Sequence, residues 1–145
     1  MKISDDGLEL IKKFEGLRLA VYEDVVGKKT IGYGHLIKDG ENFDDGIDQD
    51  QADNILRQDA EIAERCTTNL VRCAISQKEF DALCSFVFNL GCRALQSSTL
   101  LRYINTGDME AAAQEFLKWD HAGHQKITGL TNRRIAERGL FLGLA

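Results

Sequence analysis

Glu15, Asp24 and Thr30 fall in one stretch, Phe14 to His35, which reads F-E-G-L-R-L-A-V-Y-E-D-V-V-G-K-K-T-I-G-Y-G-H. Two carboxylates on opposite walls of a cleft are the arrangement that glycoside hydrolysis requires. One protonates the leaving oxygen, and the other stabilises developing charge or activates water. Gly32 and Gly34, two apart, leave one face of their segment without side chains, and bare backbone lets a ligand approach closely.

The elements around these residues must hold them apart across a cleft. Residues 3–14 place Ile3, Leu8, Ile11 and Phe14 at helical spacing, with Ser4 as N-cap, Asp5 and Asp6 in the first turn, and Gly16 as the stop. Glu15 then sits at a helix C-terminus, where the macrodipole disfavours negative charge, the direction a general acid needs. Taken alone, Glu15 is equally a surface glutamate. Leu19–Tyr22 reads as a strand, Val25–Lys29 as a turn through Gly27, and Thr30–His35 as the return strand. Asp39-Gly40 and Asp45-Gly46 are turn signals, with Glu41–Phe43 between them as a third short strand. The acidic residues Asp44, Asp45, Asp48 and Asp50 lack the glycine and terminal glutamate of a calcium loop, and better suit a helix N-terminus.

The motifs E-G-L-R-L-x-x-Y-x-D and G-x-x-T-I-G-Y-G-H resemble the signature of the phage-type lysozymes, the endolysins of glycoside hydrolase family 24. The likeness continues through Phe80–Gly91, Ser97–Leu101, Glu115–Trp119 and Gly129–Arg134, and so covers nearly the whole chain. It implies an α+β lysozyme-like fold: a small three-stranded sheet lobe, a larger helical lobe, a long helix joining them and a cleft between. On that reading residues 1–145 are a single catalytic domain. The sheet lobe covers about residues 16–48, the connecting helix about 49–65, and the helical lobe about 66–145 together with the N-terminal helix.

The resemblance also implies roles. Glu15 would be the general acid, with Asp24 and Thr30 positioning water on the opposite face and Asp24 offsetting oxocarbenium charge. Gly34, Leu36, Phe88 and Asn89 would contact substrate, although Asn89 could equally be a buried structural amide. His35 would pair with Asp59 and pin the sheet to the connecting helix; on sequence alone His35 is simply a solvated histidine. An arginine would partner Glu15, with Arg133 the choice by alignment and Arg134 the runner-up. Such a partner favours the ionised glutamate, opposing the helix-end effect. The implied reaction is hydrolysis of the β-1,4 bond between N-acetylmuramic acid and N-acetylglucosamine. Inversion is expected, with the carboxylates separated by roughly 6.5–9.5 Å. A lytic transglycosylase, which needs only the acid, and a catalytically silent wall-binding protein are the alternatives.

The rest of the chain supplies scaffold. Asp48 with Gln51 and Ser76 with Glu79 are capping boxes that open two helices. The second carries Phe80, Leu83, Val87 and Leu90 and stops at Gly91; it is apolar nearly all round and should be the buried centre of its lobe. Ser97 or Ser98 caps a short helix ending near Gly107, Asp108 caps Met109–Trp119, and the last helix begins near Thr131 or Asn132. Trp119 is read as core rather than as a sugar platform. His121 and His124 are read as a solvated loop, with no third ligand that would make a metal site. No cofactor is expected.

The 145 residues carry a formal net charge of −5, which argues against a nucleic-acid partner. The charge is uneven, net −8 over residues 1–64 and net +3 over 65–145, so attraction to an anionic polymer would fall to the second part. No apolar run is long enough to span a membrane. The N-terminus lacks the signal-anchor pattern found in many relatives. The expectation is a monomer made in the host cytoplasm, which reaches peptidoglycan in the periplasm with the help of a holin or another factor. Cys66, Cys73, Cys84 and Cys92 show no C-x-x-C spacing. Cytosolic synthesis favours free thiols, with Cys66 and Cys73 able to bridge after export and Cys84 a small core residue.

Overall fold

The computed structural model describes residues 1–144. Helix α1 (Asp5–Glu15) opens on the Ser4 cap, whose hydroxyl accepts from the Gly7 amide, and closes on Gly16 at φ 73°. The same Ser4 is bound through its amide and hydroxyl to the buried Asp81 carboxylate, which ties the start of the chain to the centre of the molecule.

Strands β1 (Arg18–Glu23), β2 (Lys29–Gly32) and β3 (His35–Leu36) form an antiparallel sheet in that order. The third strand is not Glu41–Phe43, as the turn signals suggested. Gly32 and Gly34, at φ 68° and 78°, break the expected Thr30–His35 strand and fold His35 back opposite Ile31. Glycine is required at both bends, because other residues pay a steric cost at positive φ.

Helix α2 (Gln49–Leu70) begins with the Asp48–Gln51 capping box and runs past residue 65 to Leu70. Nothing stops it earlier: its last turns carry the buried Cys66 and Thr67, and the chain has neither glycine nor proline there. The helix α3 (Gln77–Leu90) has the expected Ser76–Glu79 box, buries every side chain from Phe80 to Val87, and ends at Gly91. It packs against α1, α2 and the C-terminal helix α7 (Thr128–Phe141), so it is the axis of the larger lobe. Each large apolar side chain buried along it contributes on the order of 2 kcal/mol.

Short helices α4 (Cys92–Gln96), α5 (Thr99–Asn105, capped by Ser98) and α6 (Met109–Glu115, capped by Asp108) complete that lobe, followed by a tight helical turn at Phe116–Lys118. Trp119 is half-buried and meets Phe86 edge-on at 5.4 Å, within the core as expected. The loop expected around His121 and His124 is a hairpin, β4 (His121–Ala122) and β5 (Gln125–Lys126), with His121 Nδ1 2.7 Å from Asp120 Oδ1. The hairpin delivers the chain to α7 at Thr128, earlier than the Thr131 or Asn132 start, because Ile127 N–H bonds back to Asp120 O and sets the turn.

The cysteines depart from expectation. Cys66 is bonded to Cys92, not to Cys73, and the thiols are therefore not all free. Helix α4, which no local signal announced, begins where α2 passes and brings the two Cα atoms to 5.9 Å. A bridge closing a 26-residue separation contributes about 3 kcal/mol through the unfolded chain. Cys84 is buried and reduced, its thiol pushed up to about 12 by burial.

Candidate active site

Glu15 ends α1 with its side chain turned toward α7. Its Oε2 accepts from Arg133 Nη1 at 2.6 Å, across 118 positions of sequence. Arg133 is nearly fully buried and also lies 5.9 Å from the Phe14 ring centroid, so helix α1 supplies both the carboxylate and part of the wall behind its partner. Arg134, the runner-up, points elsewhere: its Nη2 donates to Asn89 Oδ1 at 2.8 Å and its Nη1 to Trp119 O at 3.4 Å. Asn89 thus has its carbonyl committed to a buried guanidinium, the structural-amide arrangement. The other oxygen of Glu15, Oε1, lies against Gly34; a Cβ built on Gly34 would stand 2.8 Å from it.

Asp24 and Thr30 are held by the hairpin between β1 and β2. Asp24 Oδ1 accepts from the amides of Val26 at 3.0 Å and Lys28 at 2.8 Å, and Asp24 N–H bonds to Lys28 O. Thr30, almost fully buried, donates its hydroxyl to that same Lys28 carbonyl at 2.9 Å. Both side chains therefore share the peptide groups of Lys28, with the Val26 amide as a second donor to Asp24. Among the described residues Asp24 Oδ2 has no protein donor, and the Thr30 oxygen keeps its lone pairs. One carboxylate oxygen and one hydroxyl oxygen are left to accept from a water.

Gly34, which lies against Glu15 Oε1, also lines a cleft of about 340 Å³, whose lining does not include Glu15, Asp24 or Thr30. It is lined by Gly34, His35, Leu36 and Lys38 from the sheet lobe, Asp59, Ile62 and Ala63 of α2, and Val87, Phe88, Gly91 and Cys92 from α3 and the start of α4. Of the expected contact residues, Gly34, Leu36 and Phe88 line it. Asn89 does not, being turned to Arg134.

His35 is clamped at both ring nitrogens, Nδ1 2.8 Å from Asp59 Oδ2 and Nε2 3.0 Å from Glu41 Oε1. Burial works against its charged form, but the hydrogen bonds and charges of Glu41 and Asp59 outweigh that and raise its pKa above the ordinary 6.5. The Glu41 carboxyl is lowered, first by the hydrogen bond from the Lys38 amide and then by His35. A raised histidine contributes stability that is complete below pH 6.5 and is lost as pH rises through its folded value. Glu41 works the other way, its contribution present above 4.5 and lost as pH falls through its lowered value. Urea unfolding should therefore show wild-type stability declining as pH rises above 6.5, a decline that His35→Asn abolishes. An equal decline in the variant would place the titration elsewhere.

Sequence reasoning missed Glu41, Ser85 and Glu137. In sequence Glu41 reads as a strand residue, and its place six residues after His35 is the single hint of their contact. Ser85 and Glu137 are fully buried beside the two arginines. The one local signal was that Glu137 follows Arg134 by three and Arg133 by four, the spacing of ion pairs on one helix face.

The phage lysozyme family model matches residues 12–137. An endolysin of Bacillus phage B103 is 44% identical over 144 residues, 98% of this chain, although the chain spans only about half (54%) of that protein's length. The endolysin of Salmonella phage P22 is 41% identical over 145 residues, covering 98% of this chain and 99% of that one. Among solved structures, the muramidase domain of SpmX from Asticaccaulis excentricus superposes with a TM-score of 0.88 at 38% identity, covering 97% of each chain. The chain belongs to the phage lysozyme family.

Proposed function

We propose that this phage lysozyme is an endolysin and muramidase that hydrolyses the β-1,4 bond between N-acetylmuramic acid and N-acetylglucosamine in peptidoglycan. The observation that carries the reading is the division of labour at Glu15. Arg133 anchors one oxygen at 2.6 Å, and the other lies beside the bare backbone of Gly34 at the edge of the cleft. Held there, Glu15 acts as general acid and delivers its proton to the glycosidic oxygen as the bond lengthens. Charge then builds on the anomeric carbon and ring oxygen. Asp24 offsets it, while its free Oδ2 and the Thr30 oxygen orient a water for attack on the opposite face. On this reading the reaction inverts the anomeric centre, since a water must fit between the second carboxylate and the sugar.

Gly34, Leu36 and Phe88 border the glycan path, and His35 with Asp59 holds the sheet lobe at its angle to α2. The enzyme acts as a monomer on one glycan strand, and a holin or another factor gives it access to the wall. Among the described residues no helix is long and apolar enough to cross a membrane.

The test is turbidity loss of outer-membrane-stripped Gram-negative cells with mass analysis of the released muropeptides. Reducing, water-added products are expected. Anhydro products would leave Thr30 without its role and make the enzyme a transglycosylase. Absence of clearing would sink the catalytic reading.

A further inference from the structure

We infer that Glu137 is a positioning residue for the reaction: its carboxylate holds Arg133 in the orientation that fixes Glu15. The inference rests on Glu15 being the acid. Arg133 could in principle reach Glu15 from several rotamers, because an arginine side chain has many and the Glu15 end of the pair is partly open to solvent. What removes that freedom lies behind it. Glu137 is fully buried, and Ser85 Oγ donates to its Oε2 at 2.6 Å. Arg133 Nε approaches the same oxygen at 3.4 Å and Arg134 Nη2 at 3.2 Å, while Arg134 Nε lies 2.7 Å from Oε1. Arg133 Nη2 donates to Ser85 O at 3.2 Å, which fixes the plane of its guanidinium and aims Nη1 at Glu15.

The order Glu15, Arg133, Glu137, Arg134 alternates in sign, so the four buried or half-buried charges balance. Burial pushes the Glu137 carboxyl up, and the charges of Arg134 and Arg133 pull it back. The groups that face it are Arg133 and Arg134 from its own helix and Ser85 from α3. Arginines only donate, and the Ser85 hydroxyl is itself approached by Arg133 Nη2 at 3.4 Å, so the site fits an acceptor-only carboxylate. A glutamine would turn an NH₂ group toward one of the guanidiniums. The displaced arginine would release the clamp on Glu15. Among the described residues that line the cleft, Ser85, Arg134 and Glu137 do not figure, so the loss should fall on turnover and spare substrate affinity.

The experiment compares Glu137→Gln, Glu137→Asp and wild type on purified peptidoglycan, measuring kcat, KM and the pH–rate profile, with circular dichroism and urea unfolding as folding controls. Glu137→Gln is expected to lower kcat between about ten- and a hundredfold with KM within about twofold. With the clamp released, the Arg133 charge stands farther from Glu15 and favours its ionised form less, so the alkaline limb of the profile should move to higher pH. Glu137→Asp, which restores the charge, should return that limb toward wild type. Where Glu137→Gln does not fold, the volume-matched Arg134→Met/Glu137→Met pair removes both buried charges together, a change buried pairs often tolerate. It should show the same loss in kcat. A folded variant with unchanged kcat and an unchanged alkaline limb would overturn the inference. An inactive wild type would instead indict the functional reading on which it rests.

Discussion

Glu15→Gln should lower peptidoglycan turnover by about 10³-fold or more while the protein still pellets with insoluble wall material. General acid catalysis at a poor leaving group supplies that order of magnitude, and the amide offers no proton at any pH used for assay. The substitution keeps the shape of the side chain and an oxygen that can accept from Arg133 Nη1, so the 2.6 Å contact is weakened rather than vacated. Charge balance suffers, since Arg133 and Arg134 then face only Glu137. Because the Glu15 side chain is about a fifth exposed at 21%, water can share that imbalance, and the stability cost should be about 1 kcal/mol. The measurement is release of soluble muropeptides, quantified by mass, beside a pelleting assay for binding. Retention of a tenth or more of wild-type turnover would move the acid elsewhere in the molecule. Loss of binding together with turnover would mean that Glu15 holds the glycan rather than protonating it.

The elements that position this residue were legible where their causes are local. Ser4, Asp48, Ser76 and Asp108 cap as read, and Ser98 is the one of the two candidate serines that caps α5, because a cap is a contact between a side chain and an amide three residues on. The burial of α3 was legible for the same reason, its apolar residues standing almost all round the helix. What failed was short or non-local. A two-residue strand such as His35–Leu36 leaves no periodicity to detect, so in sequence Glu41–Phe43 reads equally well as the third strand, and only the bends at Gly32 and Gly34 decide against it. The partner of Cys66 depended on α4, a five-residue helix without a side-chain cap. The contact between Arg133 and Glu15 was reached through a family pattern, since no local physics links residues 118 apart. Glu137 stayed hidden because three charges on one helix face normally mark a solvated surface; burial by α3 reverses that meaning.

Gly34→Ala should separate the geometry of the acid from its chemistry. The backbone at Gly34 has φ 78°, so any side chain there carries conformational strain, roughly 1–3 kcal/mol, readable as a lowered urea midpoint. Gly107, past the end of α5 at φ 83°, carries comparable strain but has open space where a Cβ would go, so Gly107→Ala is the matched control. At Gly34 the new Cβ would stand 2.8 Å from Glu15 Oε1. In energy terms that clash is cheap, because the far end of a glutamate can swing aside. In functional terms it is not, since the group that moves is the proposed proton donor, pulled off the axis set by Arg133. A displacement of about 1 Å at a reacting group can cost on the order of 10²-fold in rate. Gly34→Ala should therefore lose about a hundredfold in kcat, whereas Gly107→Ala, destabilised to a similar degree, should keep wild-type turnover below its melting transition. Equal losses in the two variants would attribute the effect to general destabilisation. A Gly34→Ala enzyme with full turnover would mean that the acid works from a position other than the one Arg133 and Gly34 define.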